Sequence, residues 1–231
     1  MTVVILQPGY LPWLGFFDQM RRADVFVYYD DVQYDTHGWR NRNRIKTQRG
    51  PLWLTVPVRH SGLSKPRILD VAIDGRTNWA KKHVASLRQA YSGAPFAQQY
   101  MAALEAVLMQ SWERLVDLDL AVVDLLAKWL AVRPRIERAS ALGIGGAQTD
   151  RLVNICRHFG ATRYLTGSAA RTYLDVALFE HNGIAVEWQD FAHPVYPQLH
   201  GEFVPYLSAV DLILNCGQQS RAVLEGVSRL E

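Results

Sequence analysis

Three arginines alternate through Trp39-Arg40-Asn41-Arg42-Asn43-Arg44-Ile45. On an extended segment Arg40, Arg42 and Arg44 share one face and form a fork for phosphate or carboxylate. Asn41 and Asn43 then point the other way, although a solvated basic loop would carry the same charges. Ahead of this run, Asp30-Asp31 could hold a divalent metal, act as a base, or accept hydrogen bonds from an amine. Adjacent residues on an extended chain point to opposite sides, so one functional carboxylate is expected of the two, and capping or turn roles compete with it. Further along, His193-Pro194-Val195-Tyr196-Pro197-Gln198 and His200 precede Asp211 and Cys216. A thiolate–imidazole pair suits acyl transfer. Free cysteines are usually buried, however, so His193 acting as acid, base or substrate ligand without Cys216 is the preferred reading.

Two further segments have site character. Gln7-Pro8-Gly9-Tyr10-Leu11-Pro12-Trp13 is stiffened by prolines that fix φ and remove donors. Tyr10 and Trp13 would make a pocket wall there, or else cover the core above a tight turn. Thr166-Gly167-Ser168 puts small residues at a strand-to-helix turn, where bared backbone N–H groups favour anions.

These residues need elements to position them. Val3–Leu6 is an apolar, β-branched run that suits a buried parallel strand. A helix over Leu14–Arg22 and a second strand over Val25–Tyr29 complete a βαβ unit. Trp53–Val58 and Ile68–Ile73 read as a third and a fourth strand. A helix over Trp79–Tyr91 and two more between Phe96 and Val132 give a helical subregion at about 79–132. The pattern then returns to strands at Ile136–Leu142, Thr162–Thr166 and Ala185–Gln189, with helices at Thr149–Phe159, Tyr173–His181 and Pro205–Leu214. The fold class is therefore α/β: a single domain over 1–231 with a mostly parallel, open, Rossmann-like sheet and an inserted helical layer. In such sheets ligands sit outside the carboxyl ends of the strands. Those ends deliver Gln7 and Tyr10, then Asp30, Asp31 and Gln33, then Gly167 and Ser168, then Asp190 and His193.

The bulk numbers narrow the classes. Net charge is only +3 over 231 residues, with the excess gathered at Arg40, Arg42, Arg44, Lys46 and Arg49. A nucleic-acid binder usually has a broader basic face, so a small anionic ligand is expected instead. Two cysteines without CxxC or Cys/His spacing predict no zinc site, and nothing in the residues names a cofactor. The start MTVVILQPGY lacks the form of a signal peptide, and no stretch of 18 apolar residues predicts a membrane span. A cytoplasmic protein is expected; the oligomeric state is left open.

Taken together, QPGYLPWLGFFD, DDVQY, WRNRNRIK, HFGATRYLTG, HPVYPQLHGEFVPYLS and DLILNCG resemble the signature of the WbqC-like protein family, from Val3 to Gly217. That family takes its name from bacterial O-antigen gene clusters, and members also occur beside natural-product assembly lines. The resemblance implies a biosynthetic transferase, with acyl or aminoacyl transfer onto an amine of a sugar or peptide-like intermediate. The substrate would be a small molecule or carrier-bound, with an acyl or peptidyl carrier protein as partner. In that scheme Asp30 or Asp31 positions or deprotonates the amine, His193 assists proton transfer, and the arginines hold a phosphopantetheine arm or a sugar nucleotide. The opening unit is also similar to that of HIGH-type nucleotidyltransferases. Tyr10 and Trp13 stand where those enzymes have histidines, and Pro12 where they have glycine. A nucleotide-dependent enzyme and a noncatalytic sugar- or carrier-binding module are the alternatives.

Overall fold

A computed structural model describes residues 1–36, 38–59 and 65–226 of the chain. β1 (Thr2–Leu6) leads through the proline-rich loop into α1 (Leu14–Arg22), and β2 (Val25–Tyr28) follows. β3 (Arg42–Thr47) and β4 (Gly50–Thr55) make an antiparallel hairpin; β5 (Val58–Arg59) and β6 (Ala72–Ile73) make a second, shorter antiparallel pair. Three helices come next: α2 (Trp79–Ala90), α3 (Ala97–Leu108) and α4 (Leu115–Trp129). The chain returns to α/β with β7 (Arg135–Arg138), α5 (Ala139–Leu142), α6 (Gln148–His158), β8 (Arg163–Thr166), α7 (Val176–His181) and β9 (Ala185–Trp188). α8 (Ala209–Cys216) and α9 (Ser220–Leu224) close the described chain.

Five strands form one parallel sheet in the order β7-β2-β1-β8-β9, with helices on both sides. Numbered along the chain within that sheet, the order is three-two-one-four-five, the doubly wound pattern. β1 and β2 lie at its centre, which is why VVIL and VFVY are apolar on both faces rather than alternating. On one face Val3, Ile5, Val25 and Val27 pack with Leu152, Ile155, Cys156 and Phe159 around α6 and with Phe179 of α7. Tyr164 of β8 stacks on Phe179 with ring centroids 4.8 Å apart.

The chain divides into two compact units. The first comprises Met1–Gln7, Asp18–Asp31 and Arg133–Ala192 and contains the whole parallel sheet. The second comprises Pro8–Phe17, Val32–Val132 and His193–Glu231. It contains both antiparallel pairs, the expected helical layer and α8, with Leu87, Leu104, Leu108, Leu118, Val122, Leu126 and Leu212 among its fully buried side chains.

Several expected elements differ. The run expected as the third strand falls mainly in β4, an arm of a hairpin in the second unit rather than a strand of the sheet. Its Leu52 and Trp53 are exposed, whereas a central parallel strand would bury both faces. Ile68–Asp70 is a turn of 3₁₀ helix, and only Ala72–Ile73 beyond it is extended. The third strand of the sheet is β7, and the run expected to continue it to Leu142 turns helical at Ala139. There the Asp30 carboxylate accepts from the Ser140 backbone N–H and hydroxyl, holding the first turn of α5. Caps also move two helix starts: Asp175 accepts from Leu178 N–H and Ser208 from Val210 N–H.

Candidate functional site

The loop Pro8–Trp13 and the arginine run are one lock within the second unit. Arg40 donates from Nη1 to the Pro8 carbonyl at 3.0 Å, the Tyr10 N–H donates to the Arg40 carbonyl at 3.0 Å, and Asn43 Nδ2 donates to the Leu11 carbonyl at 2.8 Å. Gly9 is required by this closeness, since a Cβ there would stand 2.9 Å from the Trp39 carbonyl oxygen. Asn41 ties the other side, donating from Nδ2 to the Val56 carbonyl at 2.8 Å. Leu11 is held with φ at +46°, an unusual conformation for a residue with a branched side chain. Tyr10 consequently points inward. It is fully buried, its hydroxyl meets His83 Nδ1 at 2.9 Å, and its ring meets Trp79 edge-on. The expectation that Tyr10 walls a pocket at the strand end is corrected: its neighbours are core side chains. His83 is itself buried, which pushes its pKa down to about 4, so the ring is neutral at neutral pH.

Trp13 and the arginines are placed differently. The pleat of β3 puts Arg42 and Arg44 on one face and the buried Asn43 on the other. Arg44 pairs in register with Trp53 of β4. Both guanidinium groups lie over the Trp53 ring, 4.9 Å (Arg42) and 5.7 Å (Arg44) from its centroid. Trp39 adjoins Trp53 at 5.2 Å, and the two indoles are 46% and 44% exposed. Large aromatics left this open, with cations on them, are what a ligand-binding face looks like before it is covered.

Tyr206 connects this face to His193. Its carbonyl accepts from Arg44 Nη2 at 3.4 Å, and its ring lies 5.6 Å from Trp13 and 5.2 Å from His193. The Tyr206 backbone sits at φ +60°, a left-handed conformation that bulky residues seldom adopt. Phe203 and Tyr196 complete the rings around His193, at 5.7 and 6.3 Å. His193 donates from Nδ1 to the Pro194 carbonyl at 2.9 Å, which leaves Nε2 as the basic nitrogen. Burial holds its pKa below the ordinary 6.5, so the imidazole is neutral at neutral pH. Trp13, Arg42, Arg44 and His193 are thus brought together in one unit.

The rest of that late loop is fastened from beneath. Lys46 is buried, and its Nζ donates to the carbonyls of Gly201 (3.1 Å) and Glu202 (2.6 Å). His200 donates from Nε2 to the Ala90 carbonyl, and Gln198 holds the Val204 backbone by both ends of its amide. Asp211 is fully buried, accepts from the Tyr91 hydroxyl at 2.9 Å, and lies beside Tyr196 and Gln198. Tyr196, Gln198, His200 and Asp211 therefore brace the loop. Cys216 is a buried thiol whose pKa is pushed up to about 11 by burial and by the neighbouring Asp211. A carboxyl beside a thiol disfavours the thiolate, so the expected role of Cys216 as a nucleophile has no support in its surroundings.

The remaining expected residues lie elsewhere. Gln33, exposed in the second unit, forms a short antiparallel bridge with Arg67. In the first unit, Gln7 follows β1 and Gly167-Ser168 follow β8. These two strands are neighbours at the point where the strand order reverses, the crevice position of doubly wound sheets. Asp30 is fully buried and accepts from Arg138 Nε (2.7 Å), Ser140 N–H (3.0 Å) and Ser140 Oγ (2.7 Å). Asp31 accepts from Arg151 Nη2 at 2.5 Å, and that guanidinium lies over the Tyr29 ring. Asp30 is thus committed to an arginine and to the start of a helix, whereas Asp31 meets its arginine through Oδ2 and its buried Oδ1 has no hydrogen-bond partner among the described residues. Among the described residues, no three His, Cys, Asp or Glu side chains gather as a metal site would need.

The profile of the WbqC-like protein family matches residues 7–223. The chain belongs to the WbqC-like protein family. It is 36% identical over 220 residues to "Uncharacterized protein Rv1507c" of Mycobacterium tuberculosis, a match covering 94% of this chain and 95% of that protein. No solved structure matches the chain at a significant level.

The WbqC-like signature segments gain a physical meaning from the second unit. Pro8–Trp13 is sewn to Trp39–Asn43, and the loop after His193 is fastened by Lys46 and braced by Asp211. Sequence reasoning missed the residues that finish the site: Trp39, Trp53, Phe203 and Tyr206. A period-two pattern with tryptophan opposite arginine across a short turn was the available signal. It also missed Asp119 of α4, which sits in an otherwise apolar helical stripe. Asp119 is fully buried and neither carboxylate oxygen has a hydrogen-bond partner. Burial holds its pKa well above the ordinary carboxylate range, and Arg40 offsets only part of that rise. A buried polar group left unpaired costs roughly 1–3 kcal/mol, more if charged.

Proposed function

We propose that this WbqC-like protein is a biosynthetic transferase acting on an anionic, carrier- or nucleotide-linked substrate. Acyl or aminoacyl transfer onto an amine is the reaction its residues suit. The observation that carries the proposal is the face made by Arg42, Arg44, Trp53 and Trp39, with His193 joined to it through Tyr206. A guanidinium stacked by its face still presents N–H edges, so a phosphate or phosphopantetheine arm meets two cations, and the indoles take the adjoining sugar, base or aliphatic part. In this proposal His193 takes the proton from the attacking amine, a task that suits a neutral imidazole, and its Nε2, enclosed in this structure, must be uncovered for the amine to reach it. Asp30, Asp31 and Cys216 are left out: both carboxylates belong to the other unit and pair with arginines there, and burial disfavours the thiolate.

The test is a calorimetric titration with coenzyme A and with a sugar nucleotide, on the wild type and on the double variant Arg42→Ala/Arg44→Ala. At least one should bind the wild type, and the double variant should weaken it by about 100-fold, corresponding to two charge-assisted contacts. Equal binding by folded wild type and double variant, or binding by neither, would overturn the reading. With a substrate in hand, His193→Ala should lower kcat far more than it changes KM.

A second reading rests on the first unit. Its three-two-one-four-five strand order, with Gln7 and Gly167-Ser168 at the point of reversal, favours a nucleotide-dependent enzyme. Against phosphate binding at the start of α1, the Trp13 ring lies against Gly15 in the first helical turn; any Cβ there would overlap it. ATP or CTP with Mg²⁺ should raise the melting temperature if this reading holds.

A further inference from the structure

His193 Nε2 is enclosed in this structure, and two of the rings packed around the imidazole come from one short stretch of its own loop. Tyr206 lies at 5.2 Å and Phe203 at 5.7 Å, with Tyr196 at 6.3 Å. The stretch Phe203–Tyr206 is held unlike the chain on either side. Among the described residues, positions 202–207 make no backbone-to-backbone hydrogen bond. Side chains hold the stretch instead: the Gln198 amide takes the Val204 N–H and carbonyl, and Arg44 Nη2 donates to the Tyr206 carbonyl at 3.4 Å. Firm ties flank it. Lys46 Nζ clamps the Gly201 and Glu202 carbonyls before it. After it, the Ser208 N–H donates to the Arg44 carbonyl at 2.9 Å and the Ala209 N–H to the Pro12 carbonyl at 2.8 Å. Left-handed residues stand at both ends, with His200 at φ +66° and Gly201 at +82° before the stretch and Tyr206 at +60° closing it. Non-glycine residues in that conformation persist only where their surroundings enforce it, and they cluster at ligand clamps and switch regions.

We propose that Phe203–Tyr206 is a flap over His193, that Arg44 is its latch, and that an anion arriving on Arg44 opens it. A guanidinium bonds an oxyanion more strongly than a neutral carbonyl. A phosphate oxygen on Arg44 Nη2 therefore takes that donor from the Tyr206 carbonyl. Tyr206 then relaxes from its left-handed conformation and carries its own ring and that of Phe203 off the imidazole. Nε2 is uncovered only once the anionic end of the substrate is seated, which commits the base to a bound substrate. Arg44 and Tyr206 act here as positioning residues, through His193. The flap and its latch stand on the geometry alone, whereas the substrate's phosphate as trigger rests on the transferase reading.

The test is carbethoxylation of the full chain by diethyl pyrocarbonate, read at His193 by peptide mass spectrometry, with the exposed His181 of α7 as internal reference. In the wild type His193 should react more slowly than His181. Arg44→Ala should speed His193 by about fivefold, the effect of one lost hydrogen bond on a closed–open equilibrium, and leave His181 unchanged. Arg49→Ala, at the exposed turn of the same hairpin, should alter neither rate. Sodium pyrophosphate at about 10 mM, enough to occupy a millimolar site, should speed His193 in the wild type and do nothing in Arg44→Ala. A folded Arg44→Ala with the wild-type rate at His193 would overturn the latch, whatever calorimetry finds for coenzyme A or a sugar nucleotide. Should Arg44→Ala fail to fold, Tyr206→Gly makes the comparison: loss of the ring must uncover His193, and an unchanged rate would overturn the flap. No acceleration by pyrophosphate would overturn the trigger. A fast His193 in Arg44→Ala, with neither coenzyme A nor sugar nucleotide bound by the wild type, would remove the transferase reading and keep the flap.

Discussion

Two pairs of arginines, one pair in each unit, are used in opposite ways. In the first, Arg138 and Arg151 close on Asp30 and Asp31, and the charges are consumed inside the fold. In the second, Arg42 and Arg44 lie on the Trp53 ring, whose own exposure leaves the cationic face open to a ligand. The same residue type therefore holds structure in one place and offers chemistry in the other. What separates them is the partner: a carboxylate answers a guanidinium fully, whereas an aromatic face orients it without neutralising it.

If that contrast is right, substitutions in the first unit should act on stability and those on the second-unit face should act on binding. The largest effect is expected at Asp30. Asp30→Ala removes three hydrogen bonds to a buried carboxylate, one of them from a cation, and should cost about 3–5 kcal/mol in urea denaturation. A loss under about 1 kcal/mol would mean the pair is dispensable. Next comes a pH effect within the second unit. Folded His83 resists protonation down to about pH 4, whereas the unfolded chain binds a proton near 6.5. Stability is therefore complete above that window and falls as pH drops through it, by up to about 3 kcal/mol. His83→Gln should flatten that part of the stability–pH curve, and an unchanged slope would show that His83 is not its source.

Smaller effects sharpen the contrast. Asp31 is slightly exposed along with Arg151, so Asp31→Asn should cost about 1–2 kcal/mol and leave ligand affinity untouched. Arg44→Ala should change stability least, by less than about 1 kcal/mol, because a cation–π contact at an exposed ring is worth about that. Its binding defect should be the larger measurement. The comparison fails if Arg44→Ala unfolds the protein while Asp31→Asn abolishes ligand binding.

Much of the frame was legible from local pattern. The apolar runs at Val3–Leu6 and Val25–Tyr29 read as buried strands because both faces of a central parallel strand are covered. The helix over Trp79–Tyr91 and the two between Phe96 and Val132 were legible too, the latter from their three- and four-residue spacing. Of the expected fork Arg40, Arg42 and Arg44, the last two share a face because an extended chain alternates and β3 is extended, whereas Arg40 precedes β3 and donates to the Pro8 carbonyl instead. The hairpin was harder. Trp53 has a strand's composition, and only its partner strand decides whether it is a covered strand of the sheet or an exposed arm.

The site was legible in its polar residue types and not in their duties. Asp30, Asp31 and Cys216 have the composition of catalytic groups, and Tyr10 that of a pocket wall. Each is engaged by a neighbour more than 70 positions away, or, for Cys216, shaped by burial and the nearby Asp211. Asp119 went unseen because one acidic residue in an apolar stripe does not disturb the helical period.

By itself, the sequence determined the central strands and most of the helices, the alternation of Arg42 and Arg44, the stiffness of Pro8–Trp13 and membership of the WbqC-like family. All of these follow from short-range geometry and residue type. The tertiary structure alone decided which charges are consumed and which are offered. Arg151 met Asp31, Arg44 met Trp53, and Asp119 met nothing. Pairing across the chain depends on packing that local pattern does not encode, and it decides whether a charged side chain stabilises the fold or faces a ligand.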